Sequence, residues 1–180
     1  MPKKKANNDI ELDSDFFLPE DNSFAVLAFQ TANQRCYQFA SYTNSLFNLN
    51  FSNVGSLELF DFYKTSQNSV LFYYKDERKG VVYQLVDISR NDKIKEFGGY
   101  DKLLVITGNN FERKANEIES QYDKIEGVMF VTQFRFDGEL SRKEKEMRGY
   151  IASLLWLMEE CRDNFLKKQE ENKHLRETLG

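Results

Sequence analysis

The sequence predicts an α+β fold: a mainly antiparallel sheet with packed helices and a long C-terminal helix. Three observations predict it. A strand-like run and then a helical run open the patterned chain, strand-like segments on short connections crowd the middle, and the carboxy-terminal segment keeps a single helical period. A parallel pair of strands needs a crossover of roughly a dozen residues, and the connections among the middle strands are shorter.

Residues 1–21 lack periodicity and are rich in charge and Asn, the composition of a disordered tail whose Phe16, Phe17 and Leu18 await an apolar surface. SFAVLAFQ, from Ser23 to Gln30, is a compact apolar run suited to a buried strand. Asn33 is placed to cap the helix that follows, in which Cys36, Phe39, Ala40, Leu46 and Phe47 recur at helical spacing. From Leu49 the period changes. LNF, LELFDFY (Leu57 to Tyr63) and VLFYY (Val70 to Tyr74) read as strands, and KDERKG joins the last of these to VVYQLVDI (Val81 to Ile88) as a hairpin. KLLVIT at Lys102 to Thr107 is a further strand, Glu112 to Tyr122 a short helix, and VMFVTQFRF at Val128 to Phe136 a last strand. Ser141 and Glu144 form a capping box, after which the helical pattern continues to about Thr178 with no Pro or Gly after Gly149. At ~1.5 Å per residue such a helix outruns a domain of this size, so part of it should overhang. The chain thus divides into a tail (1–21), an α+β domain (22–137) and the long helix (138–180).

Composition narrows the function classes. A chain of 180 residues that is 14% aromatic has ample material for one core, and 30% charged residues supply a solvated surface. The net charge of −4 argues against a surface built for polyanions, and the lysines at 3–5 are offset by Asp9, Glu11, Asp13 and Asp15. Cys36 and Cys161 lie in apolar helical patterns as buried or half-buried thiols, which fits a reducing compartment. No run is long and apolar enough for a membrane helix, and the amino terminus lacks the apolar stretch of a signal peptide, so a cytoplasmic location is expected.

The stretch DKLLVITGNN ends a strand on a glycine before a helix, as phosphate-binding turns do. A Walker loop needs several glycines and then Lys and Ser or Thr, whereas Gly108 stands alone before NNFERK. Gly108 therefore reads as a turn, with Asn109 or Asn110 as a helix cap. Gly98 to Asp101 forms a second turn, with Asp87, Asp92, Glu96 and Asp101 near it as loop carboxylates. His174 is the sole histidine, so no histidine-based metal set can be built within one chain, and triad-type hydrolysis would depend on a base at a solvated position near the end of the terminal helix. RKGVVYQLV, Arg78 to Val86, resembles a base-stacking strand only through Tyr83, which disfavours nucleic acid as a partner. No cofactor or metal is implied.

The terminal helix carries the strongest signal. Met147, Ile151, Leu154, Met158, Cys161, Phe165, Lys168, Asn172, Leu175 and Leu179 step by fours and threes, the seam that keeps one stripe toward one partner. Leu155, Trp156, Leu157 and Leu166 widen it near the middle, as on a helix covering a sheet. Glu144 with Arg148 and Asp163 with Lys167 are spaced for intrahelical pairs.

The stretch IKEFGGYDKLLVITG, from Ile94, resembles the signature of the IPExxxVDY family: Ile94, Glu96 and Asp101 match its I, E and D, while Lys95, Tyr100 and Lys102 replace its Pro, Val and Tyr. FAVLAFQTANQRCYQFASYTNSLFNLNF is similar to that family's opening strand, helix and following strand. The resemblance spans roughly Phe24 to Gly108, and it implies a small cytoplasmic protein of Bacteroidota with no catalytic residue to carry over. Glu96 and Asp101 are then turn-stabilising carboxylates that accept backbone amides.

The expected function is a non-catalytic protein-interaction module. It would self-associate as a homodimer or dock a protein partner through a coiled coil of the C-terminal helix, with Met158, Phe165, Leu175 and Leu179 as contact residues. One alternative is a small-ligand or anion-binding protein, or an enzyme, using the Gly98 to Asp101 and Gly108 to Asn110 turns, with Glu96, Asp101, Gly108 and Asn109 as ligand residues. Another is a nucleic-acid-binding accessory protein using the lysines at 3–5 with Lys75, Arg78 and Lys79.

Overall fold

Alternation and burial explain why the chain opens as it does. β1 (Phe24–Thr31) is apolar almost throughout because both of its faces are covered. Phe24, Val26 and Ala28 point to one face of the sheet and Ala25, Leu27 and Phe29 to the other, so each residue enters one of two separate cores. The computed structural model describes residues 24–32, 34–60, 66–88, 99–136, 139 and 141–179. The tail expected over residues 1–21, the cap at Asn33, and Glu96 and Gly98 lie outside them.

After β1 come α1 (Cys36–Phe47), β2 (Ser52–Phe60), β3 (Ser66–Asp76), β4 (Val81–Asp87), β5 (Lys102–Gly108), α2 (Phe111–Glu119), a 3-10 turn (Tyr122–Lys124), β6 (Val128–Phe134) and α3 (Arg142–Leu179). The strands form one six-stranded sheet in the order β2-β3-β4-β5-β1-β6, and every neighbouring pair is antiparallel. This is the predicted α+β architecture. β2 to β5 is a meander. β1 enters between β5 and β6, and α2 carries the chain over it.

The hairpin between β3 and β4 closes with Asp76 opposite Val81. Its turn is set by the Gly80 amide, which donates to the Asp76 carbonyl at 2.8 Å. Gly80 has φ +63°, a conformation costly for residues with a Cβ. α1 starts at Cys36 from the extended Arg35, whose amide donates to Gln38 Oε1 at 3.2 Å.

α1 and α2 cover one face of the sheet and α3 the other. On the first face Phe29 meets Phe39 edge-on, ring centroids 4.9 Å apart. On the second, Met147, Ile151, Leu154, Leu155 and Met158 bury against Val26, Leu71, Val86, Leu103 and Val105. The capping box that starts α3 forms as read from the sequence. The Ser141 amide donates to Glu144 Oε2 at 2.7 Å, and the Glu144 amide donates to Ser141 Oγ at 3.3 Å. At 38 residues α3 is ~57 Å long.

Three local readings need correction. LNF (Leu49 to Phe51) is the connection from α1 into β2 and not a strand, and LELFDFY, so far as it is described, is the second half of β2, which bulges between Asn53 and Gly55. Asn110 occupies the N-cap of α2 in a left-handed conformation (φ 55°) and makes no side-chain cap hydrogen bond. Asp163 pairs with its neighbour Arg162, 2.7 Å from Nη2 to Oδ1, because the adjacent guanidinium reaches it first.

Ile151 is fully buried between α3 and the sheet. Ile151→Ala should lower unfolding free energy by about 2–5 kcal/mol in urea titration.

Candidate functional site

Two features exceed what a sheet and its covering helices require: a buried lysine between two aspartates, and a helix longer than the surface it covers.

Lys102 opens β5 and shares the face of Leu104 and Ile106, toward α1 and α2. It is 0% exposed. Its Nζ lies 2.9 Å from Asp101 Oδ2 and 3.6 Å from Asp87 Oδ2, so the ammonium enters the core with opposite charges beside it. Asp101 also reaches across to β1, where Oδ1 accepts the Thr31 amide at 2.9 Å and Oδ2 accepts the Thr31 hydroxyl. Backbone bonds finish the knot: Asp101 N–H donates to the Phe29 carbonyl at 2.9 Å, and Ile88 N–H to the Asp101 carbonyl at 2.8 Å. The cluster fastens the ends of β1, β4 and β5 together. Asp101 accepts a backbone amide, though from the neighbouring strand and not from its own turn.

Cys36, the first residue of α1, feels the same charges. Burial pushes its thiol from the ordinary 9.0 up to about 12; Asp87 adds to the rise, Lys102 opposes it and Asp101 adds a little more. A thiol that keeps its proton so firmly is no nucleophile at neutral pH. Burial likewise raises the half-buried Cys161, with Lys168 acting the other way. Both cysteines are free.

The two turns expected to share a ligand do not converge. Gly99 to Asp101 precedes β5 and Gly108 to Asn110 follows it, so the length of the strand separates them by roughly 20 Å. Gly108 (φ +89°) lies against the β3–β4 turn, where a Cβ would collide with the Gly80 carbonyl oxygen. The Asn109 amide donates to that carbonyl at 2.9 Å. The cleft beside the start of α2, about 230 Å³, is lined by Phe111, Glu112, Asn116, Gln133 and Arg135 among others, and by neither Gly108 nor Asn109. Glu112 in the first turn sets a carboxylate where an anion would bind.

Other chemistry read from the sequence finds no support among the described residues. No group of three His, Cys, Asp or Glu is placed to hold a metal. Tyr83 is 2% exposed and stacked on Tyr74 at 5.9 Å, so its ring is closed to a base. Lys75 and Lys79 pair with Glu77 and Asp76, each at 2.9 Å. No described helix is long and apolar enough to cross a membrane.

α3 divides near Phe165. Met158 is fully buried in the protein's own core and Phe165 packs half-buried against it, so both serve the chain's own sheet. The Cys161 thiol lies 3.9 Å from the Val54 and Ser56 carbonyl oxygens of β2, and Arg162 lies over the Tyr73 ring at 5.6 Å. These contacts bring the helix to the β2 edge of the sheet. From Leu166 to Glu177 every residue is exposed, Leu166 at 45% and Leu175 at 57%. Leu179 is in the last turn, its side chain outside those described.

Sequence reading missed Lys102, Asp87 and Thr31 as one cluster and missed the exposure of Met129 and Phe130 on β6. The adjacent Asp101 and Lys102 at the head of an apolar strand were the available signal for the first. No family model, curated protein or solved structure matches the chain.

Lys102→Met strands Asp101 and Asp87 without their cation and should cost about 3 kcal/mol in urea unfolding; an unchanged midpoint would show the cluster to be energetically idle. Alkali should also weaken the fold. An unfolded Cys36 ionises near 9.0 while the folded thiol holds its proton to about 12, and Tyr83 behaves alike from 10.0 to about 12. Their contribution is complete below pH 9 and falls as pH rises through that window. Cys36→Ala should flatten the first part of the loss in unfolding curves taken across this range.

Proposed function

We propose that the protein is a non-catalytic interaction module that joins a second amphipathic helix along distal α3, a second copy of α3 being the partner. The exposed stretch from Leu166 carries this reading. The seam that buries Met147 to Met158 continues in register through Lys168, Asn172, Leu175 and Leu179 after the sheet has ended. Lys168 and Asn172 weaken the seam, and Asn172 restricts its register. About two heptads interrupted in this way make a weak, concentration-dependent pair. The Lys173–Glu177 contact, 3.9 Å, supports helix at the exposed end.

Catalysis is the poorer reading because the buried lysine is engaged by carboxylates and both thiols are held protonated. Kinship with the IPExxxVDY proteins and a cytoplasmic location belong to the same proposal. Asp101, which matches that signature, and the two free cysteines are their respective support.

Sedimentation across a wide concentration range should give a mean mass rising above that of the 21.2 kDa chain. Leu175→Ser with Leu179→Ser should remove the part of this rise that α3 supplies, leaving unfolding within about 0.5 kcal/mol of wild type at dilution. A mass unchanged by the double substitution would remove the reading.

A further inference from the structure

The sheet has two edges, and they are treated differently. An edge strand presents alternate N–H and C=O groups outward, a template for another strand unless bulges, charges, proline or a covering element blunt it. β2 is blunted. It bulges between Asn53 and Gly55, Gly55 has φ +134°, Asn53 Oδ1 takes the Gly55 amide at 2.9 Å, and Cys161 of α3 sits on the Val54 and Ser56 carbonyls.

Among the described residues β6 has much less protection. Its sequence, VMFVTQF, contains no charge and no proline. Its irregularity against β1 falls between Val128 and Phe130, where Met129 is the extra residue, and leaves Phe130 to Phe134 in regular register. Met129 is 54% and Phe130 50% exposed. Phe130 is also held in place: Tyr100 stacks on it at 6.3 Å and meets Phe134 edge-on at 6.1 Å, and the Tyr100 hydroxyl bonds that of Thr132. A side chain already fixed loses little freedom when a partner covers it.

We infer that β6 pairs with β6 of a second copy, antiparallel about a two-fold axis at Thr132, joining two sheets into one. Among the described strands β6 pairs with β1 alone, so its outer backbone asks for an extended strand, and charge selects which. A charge set against Phe130 would lose hydration, whereas the Val128–Phe134 span of a second copy brings none there and leaves only Arg135, at the end of the span, to keep its head group in water. In symmetric antiparallel pairing the axis must fall on a residue, because facing residues share their inward or outward backbone orientation. Thr132 is the middle of the regular span. That register sets Phe130 opposite Phe134 twice, Thr132 opposite itself, and the Arg135 stem against Met129. Aromatic and threonine pairs are among the favourable cross-strand neighbours.

This contact is separate from the pairing of α3, and full-length variants distinguish the two. The Leu175→Ser, Leu179→Ser chain should still dimerise in sedimentation, and adding Phe130→Lys should raise the dimer dissociation constant at least about tenfold. Thr132→Cys in a Cys161→Ser background should cross-link to a covalent dimer under mild oxidation, well above Ser45→Cys on α1. If the Leu175, Leu179 variant is monomeric throughout, or Phe130→Lys leaves its dimer intact, or Thr132→Cys cross-links no better than Ser45→Cys, β6 pairing is wrong. Loss of self-association in the Leu175, Leu179 variant alone would overturn it while leaving the α3 reading standing.

Discussion

Burial of the α3 stripe on the sheet is the contact on which the rest depends. Without Met147, Ile151, Leu154, Leu155 and Met158, one face of β1, β4 and β5 would lie open to water, and a strand apolar on both faces cannot tolerate that. At about 25 cal/mol per Å² of apolar surface removed from water, each of those side chains contributes on the order of 1.5–3 kcal/mol. The same contact orients the helix. Once Ile151 and Met158 face the sheet, Leu175 must continue along nearly the same line, past the last strand.

The two faces do different work. The α1 and α2 side holds the aromatic core and, at its end, the Lys102 cluster, where hydrogen bonding offsets part of the cost of a buried charge. Such a cluster chooses one arrangement of the ends of β1, β4 and β5, because a shifted register would bury the ammonium away from Asp101 and Asp87. The α3 side is apolar and asymmetric, with its helix reaching the β2 edge while β6 keeps Met129 and Phe130 exposed. Protection of one edge and exposure of the other follow from where a single helix crosses.

Local chemistry was legible where it is local. Ser141 with Glu144 announced the start of α3, KDERKG announced the β3–β4 turn, and the continuous apolar run of β1 announced a strand buried on both sides. The insertion of β1 between β5 and β6 was not legible, because strand pairing across the chain leaves no mark on spacing. Lys102 reads locally as a solvated residue at a strand end, and only the meeting of three strands makes it a core cation. Along α3 the stepping by fours and threes runs on past Phe165, interrupted by Lys168 and Asn172, so the same spacing that sets Met158 against its own sheet also sets Leu175, 57% exposed, on that line. Asn109 and Asp101 were found as turn residues. Their separation by the length of β5 appears only once the strand is drawn.

Hydrogen exchange along α3, followed from dilute to concentrated protein, tests this division most directly. Amides from Met147 to Phe165 should exchange slowly at every concentration, while those from Leu166 onward should exchange fast in dilute solution and slow progressively as protein is added. Equal protection along the whole helix in dilute solution, or fast exchange beyond Phe165 at all concentrations, would contradict it.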